Sequence, residues 1–151
     1  MVNIATISKD LGIAFRDIIR GDATILAFSS ADPENWIFFG RPKDQNDKKF
    51  PVPRIVIEEI DQIRESYSID NLKDVFLPYV MHCWIDKESE DAFTASEIQD
   101  QLANLGDTDF NDVDKVLESN VISAFNTPEP RDTKMLTHIT VRVQVEWRDA
   151  L

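Results

Sequence analysis

Cysteine is almost absent from this chain of 151 residues: Cys83 stands alone. Neither an internal disulfide nor a cysteine zinc site can be built from it. Glycine is scarce too, with four residues and no cluster. The dinucleotide-binding and P-loop patterns, which cradle phosphates with clustered glycines, are therefore missing. So is the Gly-x-Ser-x-Gly turn of a serine hydrolase. Positive charge is short: 16 lysines and arginines face 28 acids, for a formal charge of -12 at pH 7. A surface of that sign repels phosphate and anionic lipid, which disfavours a general nucleic-acid grip and membrane-surface binding. Long apolar runs are lacking as well. The longest nearly apolar one, Val75 to Ile85, contains Pro78 and His82 and is too short to span a bilayer as a helix. No basic region precedes an apolar core near the start, so no secretion signal is expected. The expected compartment is the cytoplasm or a particle assembled there.

What is present reads as one globular domain over residues 1–151, with 42% hydrophobic residues. Ile4, Ile7, Leu11, Phe15, Ile18 and Ile19 recur at helical spacing and predict an amphipathic helix. Thr6 or Ser8 is the expected cap, and Gly21 the expected end. Asp22 to Phe28 adds a short turn of helix. Strands are expected at Trp36–Phe39 and Pro53–Ile60. Ile63–Leu72 extends the second and turns near Asp70-Asn71. Val75–Ile85 is the central strand, where Pro78 calls for an edge or a bulge. A second helix is expected from Ser89 to Leu105, with Phe93, Ile98, Leu102 and Leu105 on its buried side and Gly106 as its stop. A short helix at Val113–Leu117 follows, then a short strand, Val121–Phe125, ended by a turn at Thr127–Pro130. Ile139, Val141, Val143, Val145 and Trp147 alternate with polar residues in a last, half-buried strand. This order shows no repeated βαβ unit. It predicts an α+β fold, a mostly antiparallel sheet with two main helices on one face.

Sites of chemistry are few. His82 and His138 both fall in predicted strands, where a histidine is expected to be a satisfied packing or surface group. His82 and Cys83 are neighbours on one strand and point to opposite faces, so they form no dyad. A Cys83–His138 pair across the sheet stays open. In "DTDFNDVDKVLE", Asp107, Asp109, Asn111 and Glu118 fall where a calcium loop places oxygen ligands. Asp112 sits where that loop needs glycine, and Asp114 where it needs an apolar residue. The segment is read as an acidic surface, with Asp107, Asp109, Asp112 and Asp114 its exposed candidates. Glu58-Glu59 and the acids of Asp86–Asp91 read as structural, since paired carboxylates need a cleft to separate their proton affinities. No catalytic, metal or cofactor site is expected. The local basic residues lie in a polar loop, residues 41–50, read as a protruding contact arm. Its candidates are Arg41, Lys43, Asp44, Lys48, Lys49 and Phe50.

The leading helix runs into "WIFFGRP", then "PVPRIVIEEID". A strand ending in tryptophan flows into a helix through "YVMHCWIDKESEDAF", and "THITVRVQVEW" closes the chain. This order resembles the tail-completion and tail-terminator proteins of long-tailed phages and proviruses, over nearly the whole chain. The resemblance implies a non-enzymatic α/β subunit that closes into a ring, usually a hexamer, on the end of the tail tube. It implies a tail tube protein and a head-side connector protein as partners, and a place in the virion tail after assembly in the host cytoplasm. DNA would pass the acidic ring without specific binding, and no membrane is involved. The loop would then meet a neighbouring subunit. Asp107 to Val121 departs from the family pattern in length and acidity. Two other readings stand beside it: a head–tail adaptor of another connector layer, and a small soluble ligand-binding domain or enzyme.

Overall fold

The computed structural model describes residues 4–41, 52–60, 66–69, 72–86, 92–131 and 134–148. Helix α1 spans Ile4–Arg20, and the single-turn helix α2 spans Ala23–Leu26. A 3₁₀ turn at Pro33–Asn35 leads into strand β1, Ile37–Phe39. Strands β2 (Arg54–Glu59), β3 (Ser66–Ile69) and β4 (Leu72–Asp86) follow. Helix α3, Ala92–Asp107, precedes the long strands β5 (Val116–Arg131) and β6 (Lys134–Arg148). The sheet order is β1-β2-β4-β6-β5, with β3 also paired to β4. β1 and β2 run parallel; every other pair is antiparallel. The expected fold class is thus the observed one. Among the described residues no helix is long and apolar enough to cross a membrane.

Both main helices pack on one face of the sheet. Leu11, Phe15 and Ile19 of α1 and Ile98, Leu102 and Leu105 of α3 join one core with Ile55, Ile57, Leu77, Met81, Val141, Val143 and Val145. These strand residues are spaced by two, so they share a side. Phe15 stacks on Phe110 at 4.0 Å between ring centres and meets Tyr79 edge-on at 5.2 Å. The Tyr79 hydroxyl donates to the Ser8 carbonyl at 2.7 Å, which satisfies its one polar atom inside the core. Gly12 lies against the Phe39 ring: a Cβ there would be 2.2 Å from a ring carbon. The glycine therefore opens room for the ring, and packing offsets its poor helix propensity.

Pro78 is accommodated by topology. Glu59 of β2 pairs with Tyr79, and β3 pairs with β4 only as far as Val75. Pro78 falls just beyond the last β2 pair and before β3: its carbonyl still accepts from Ile60 N at 3.2 Å, and its missing N–H removes the return bond where the β2 ladder ends.

Four local expectations are corrected. α1 has begun by Ile4, so Ser8 lies inside it, buried, and is no cap. α3 does not stop at Gly106 but runs to Asp107; the expected start at Ser89 lies outside the described residues. Gly106 instead permits close packing, since a Cβ there would meet Val121 Cγ2 at 2.9 Å and Val143 Cγ2 at 3.1 Å. The helix expected at Val113–Leu117 does not form: a 3₁₀ turn, Asp109–Asp112, precedes it, residues 113–115 make a turn, and β5 begins at Val116. Lys115, at φ 66°, makes the turn between them. Nor does β5 end at Phe125. It passes through Pro128 and Pro130, which pair with Thr137 and Met135. Two residues apart, these prolines turn their missing donors to one side of the strand, the outer side of the sheet edge, where nothing needs them.

Candidate functional site

The sheet face away from the helices carries the most concentrated polar chemistry in the structure. The residues that alternate with the core point there. Val56, Trp84 and Leu136 form a second, smaller buried cluster on it, with Phe38 and Val52 against them. Beside that cluster, four adjacent strands each contribute one titratable side chain: Glu58 from β2, His82 from β4, His138 from β6 and Glu129 from β5.

These groups form a chain across the sheet. His82 Nδ1 lies 2.8 Å from His138 Nε2. His82 Nε2 is 3.7 Å from Glu58 Oε2, and His138 Nδ1 is 3.4 Å from Glu129 Oε1. Trp84 Nε1 donates to Glu129 Oε2 at 2.8 Å. The indole stacks over both imidazoles, at 4.6 Å from His138 and 5.3 Å from His82. Arginines flank both ends: Arg41 donates to Glu58, and Arg131 Nε lies 3.7 Å from Glu129. Arg54, 1% exposed, sits over the Phe38 ring at 5.8 Å. Burial, helped by the charge of Arg131, lowers its pKa to about 10, so it stays cationic at neutral pH.

The imidazoles are poor bases here. Burial, then the neighbouring His138, pushes the His82 pKa down to about 4, against the opposing pull of Glu58. Burial also lowers that of His138, with Glu129 opposing. Among the described residues no group of three or more His, Cys, Asp or Glu is arranged to hold a metal ion.

The thiol is not part of this cluster. Cys83 is fully buried on the helix side and pairs with Ile139, whereas His138 pairs with Trp84 on the opposite face. The open Cys83–His138 pairing is thereby excluded. The expectation that the two histidines are satisfied packing groups missed that they contact each other. The alternation in "THITVRVQVEW" already placed His138 opposite the core. The register of β4 on β6, which the sequence does not encode locally, brings His82 to it.

Asp107, Asp109, Asp112 and Asp114 are all exposed, the first at the end of α3 and the others in the turn from it to β5. Asp107 Oδ1 accepts from Val121 N at 2.7 Å, and Asp109 Oδ1 from the Thr108 hydroxyl at 2.7 Å. Asn111 clamps the turn: its Oδ1 accepts from Ser119 N at 2.8 Å, and its Nδ2 donates to Asp107 O at 2.8 Å. These oxygens close a turn around backbone groups. They also lie far from the histidines. Val116 pairs with Trp147 at one end of β6, and Thr127 with His138 toward the other, about 30 Å apart at ordinary strand rise. Of the contact-arm candidates, Arg41 is exposed and bound to Glu58; Lys43, Asp44, Lys48, Lys49 and Phe50 lie outside the described residues.

The two sheet edges differ. At β1 the Ile37 carbonyl accepts from Arg20 Nη2 at 2.7 Å and Nε at 3.0 Å, which closes the edge. β5 is a long edge. Its register shifts after Val116 and after Val121, leaving Leu117 and Ile122 as the extra residues. Leu117, Ile122 and Phe125 are 45%, 61% and 45% exposed. Natural edges usually carry charge or proline at such places; here the proline end is guarded, while Leu117, Ile122 and Phe125 stand exposed among the polar residues Glu118, Ser119, Asn120 and Ser123.

No protein-family model matches the chain, and no curated protein matches it.

Proposed function

We propose that this chain is a structural subunit of a long-tailed phage or provirus. In this reading it caps the tail tube as a closed ring, of six subunits, and joins it to the head-side connector. The resemblance of "WIFFGRP", the tryptophan-ended strand and the closing alternating strand motivates the reading. The observation that carries it is the β5 edge, whose exposed Leu117, Ile122 and Phe125 suit burial against a neighbouring copy. β1 is closed by Arg20, so β5 is the edge open to a neighbour. A contact of β5 with a different surface of the next copy is head-to-tail, and such contacts close into rings when the rotation allows. The arm at residues 41–50 supplies a further contact in this reading, and no catalysis is part of it. The net charge of -12 suits a ring through which DNA slides without specific binding.

Electron cryomicroscopy of assembled tails carrying the protein tests this. A closed ring at the tube end is expected; a lone subunit there, or none, overturns it. Replacing Leu117 and Ile122 with aspartate should leave the isolated fold intact and abolish ring assembly. A second reading, a small ligand-binding domain or enzyme, is favoured by one observation, the part-buried imidazole pair.

A further inference from the structure

Counting protons along the chain Glu58, His82, His138, Glu129 fixes its preferred state. At 2.8 Å, His82 Nδ1 and His138 Nε2 need one proton between them. Two lone pairs or two N–H groups facing at that distance would repel. Each outer nitrogen faces a carboxylate: His82 Nε2 toward Glu58 and His138 Nδ1 toward Glu129. Two neutral imidazoles carry two protons for these three positions. Whichever tautomers form, one outer nitrogen then turns a lone pair toward an anion. A third proton completes the chain. A fourth would set two N–H groups head-on in the bridge.

We propose that His82 and His138 act as one unit that takes up a single proton, shared along their hydrogen bond, at the centre of a chain of groups from β2, β4, β6 and β5. With that proton bound, both ends of the chain become attractive, so Glu58 of β2 and Glu129 of β5 are held at once. The Trp84 ring, stacked on both imidazoles, also favours a cation beneath it. The surroundings limit uptake to one. Arg41 and Arg131 oppose positive charge from the segment after β1 and from β5, and both rings are partly desolvated. Arg54 adds a third cation, this one buried, on β2. Among the described residues Glu58 and Glu129 supply the countercharge. The device stands independently of any role in a phage tail.

The test is an imidazole NMR titration of the full chain from pH 8 to pH 3.5. Both rings should shift at one common midpoint below the ordinary histidine value, together gaining one proton. The second proton should enter only near pH 4, the low affinity of His82 in the presence of its partner. Trp84 fluorescence should change at the common midpoint, and that change should vanish in W84F. E58Q and E129Q keep both rings, and each should lower the common midpoint. Two rings titrating independently, each gaining a full proton above pH 5, would overturn the proposal. So would a common midpoint that neither E58Q nor E129Q moves.

Discussion

On the helix side of β4, Leu77, Tyr79, Met81 and Cys83 are wholly buried under α1 and α3. On the other side of the same strand, His82 and Trp84 meet His138 and Glu129 from β6 and β5. One backbone thus serves two interiors with different physics. The first is held by removal of apolar surface from water, which is non-directional and tolerant of exact partners. The second is held by donors, acceptors and charges that must match one by one in low dielectric. The first face should therefore dominate stability, and the second should dominate the response to pH.

The largest effect is expected where the first face is densest. Phe15→Ala removes a ring stacked on Phe110 and set edge-on to Tyr79. It should destabilise the fold by about 3–5 kcal/mol, the usual range for a buried phenylalanine. Urea denaturation checks this. A loss below about 1 kcal/mol would mean that the helices do not seal this face as described.

The same contrast explains what the sequence disclosed. Alternation in residues 139–147 and helical spacing in residues 4–19 are local signals, and the buried face follows from them directly. Pro128 and Pro130 look like turn residues and so shorten the strand that the sequence predicts, yet an edge strand tolerates them. Gly106 resembles a stop because glycine often ends helices. Its role depends on Val121 and Val143, residues of two later strands. The histidine pair was illegible for a similar reason. His82 and His138 are 56 residues apart, and only the register of β4 on β6 joins them.

Gly106 gives the next largest effect. Gly106→Ala improves helix propensity by about 1 kcal/mol, but its Cβ would press on two stiff valine side chains at 2.9 and 3.1 Å. The net result should be destabilisation of about 1–3 kcal/mol, as for other overpacked cores. Thermal unfolding of the variant measures it. A stabilised variant would show that the helix-side face has slack and that Gly106 is only a propensity defect.

On the second face, Trp84→Phe keeps a ring and removes one donor. Glu129 loses the 2.8 Å indole bond but keeps Arg131 and His138 nearby. A loss of about 1.5 kcal/mol is expected, the range for a hydrogen bond to a charged acceptor. A loss as large as that of Phe15→Ala would erase the difference between the faces. A double-mutant cycle with Glu129→Gln separates the bond from the packing of the ring.

The finest discriminator is the dependence of stability on pH. The native His82 has its pKa lowered to about 4, mainly by burial, and His138 is lowered for the same first reason. The unfolded chain, with ordinary histidines near pH 6.5, takes up protons that the native state refuses. The stability held in this way is complete above about pH 6.5 and is lost as pH falls toward 4. Each withheld proton contributes about 1.4 kcal/mol per pH unit within that window. Carboxylates also titrate at its lower end, so the informative quantity is a difference between variants. Wild type and the double variant H82Q/H138Q, unfolded in urea at pH 7, 6 and 5, should diverge, with wild type losing more stability on acidification. Phe15→Ala should instead stay offset from wild type by the same amount at every pH, because nothing it touches changes charge in this range. Parallel pH curves for wild type and the histidine variant would show that the imidazoles titrate alike in both states, and that the second face does not govern the response to acid.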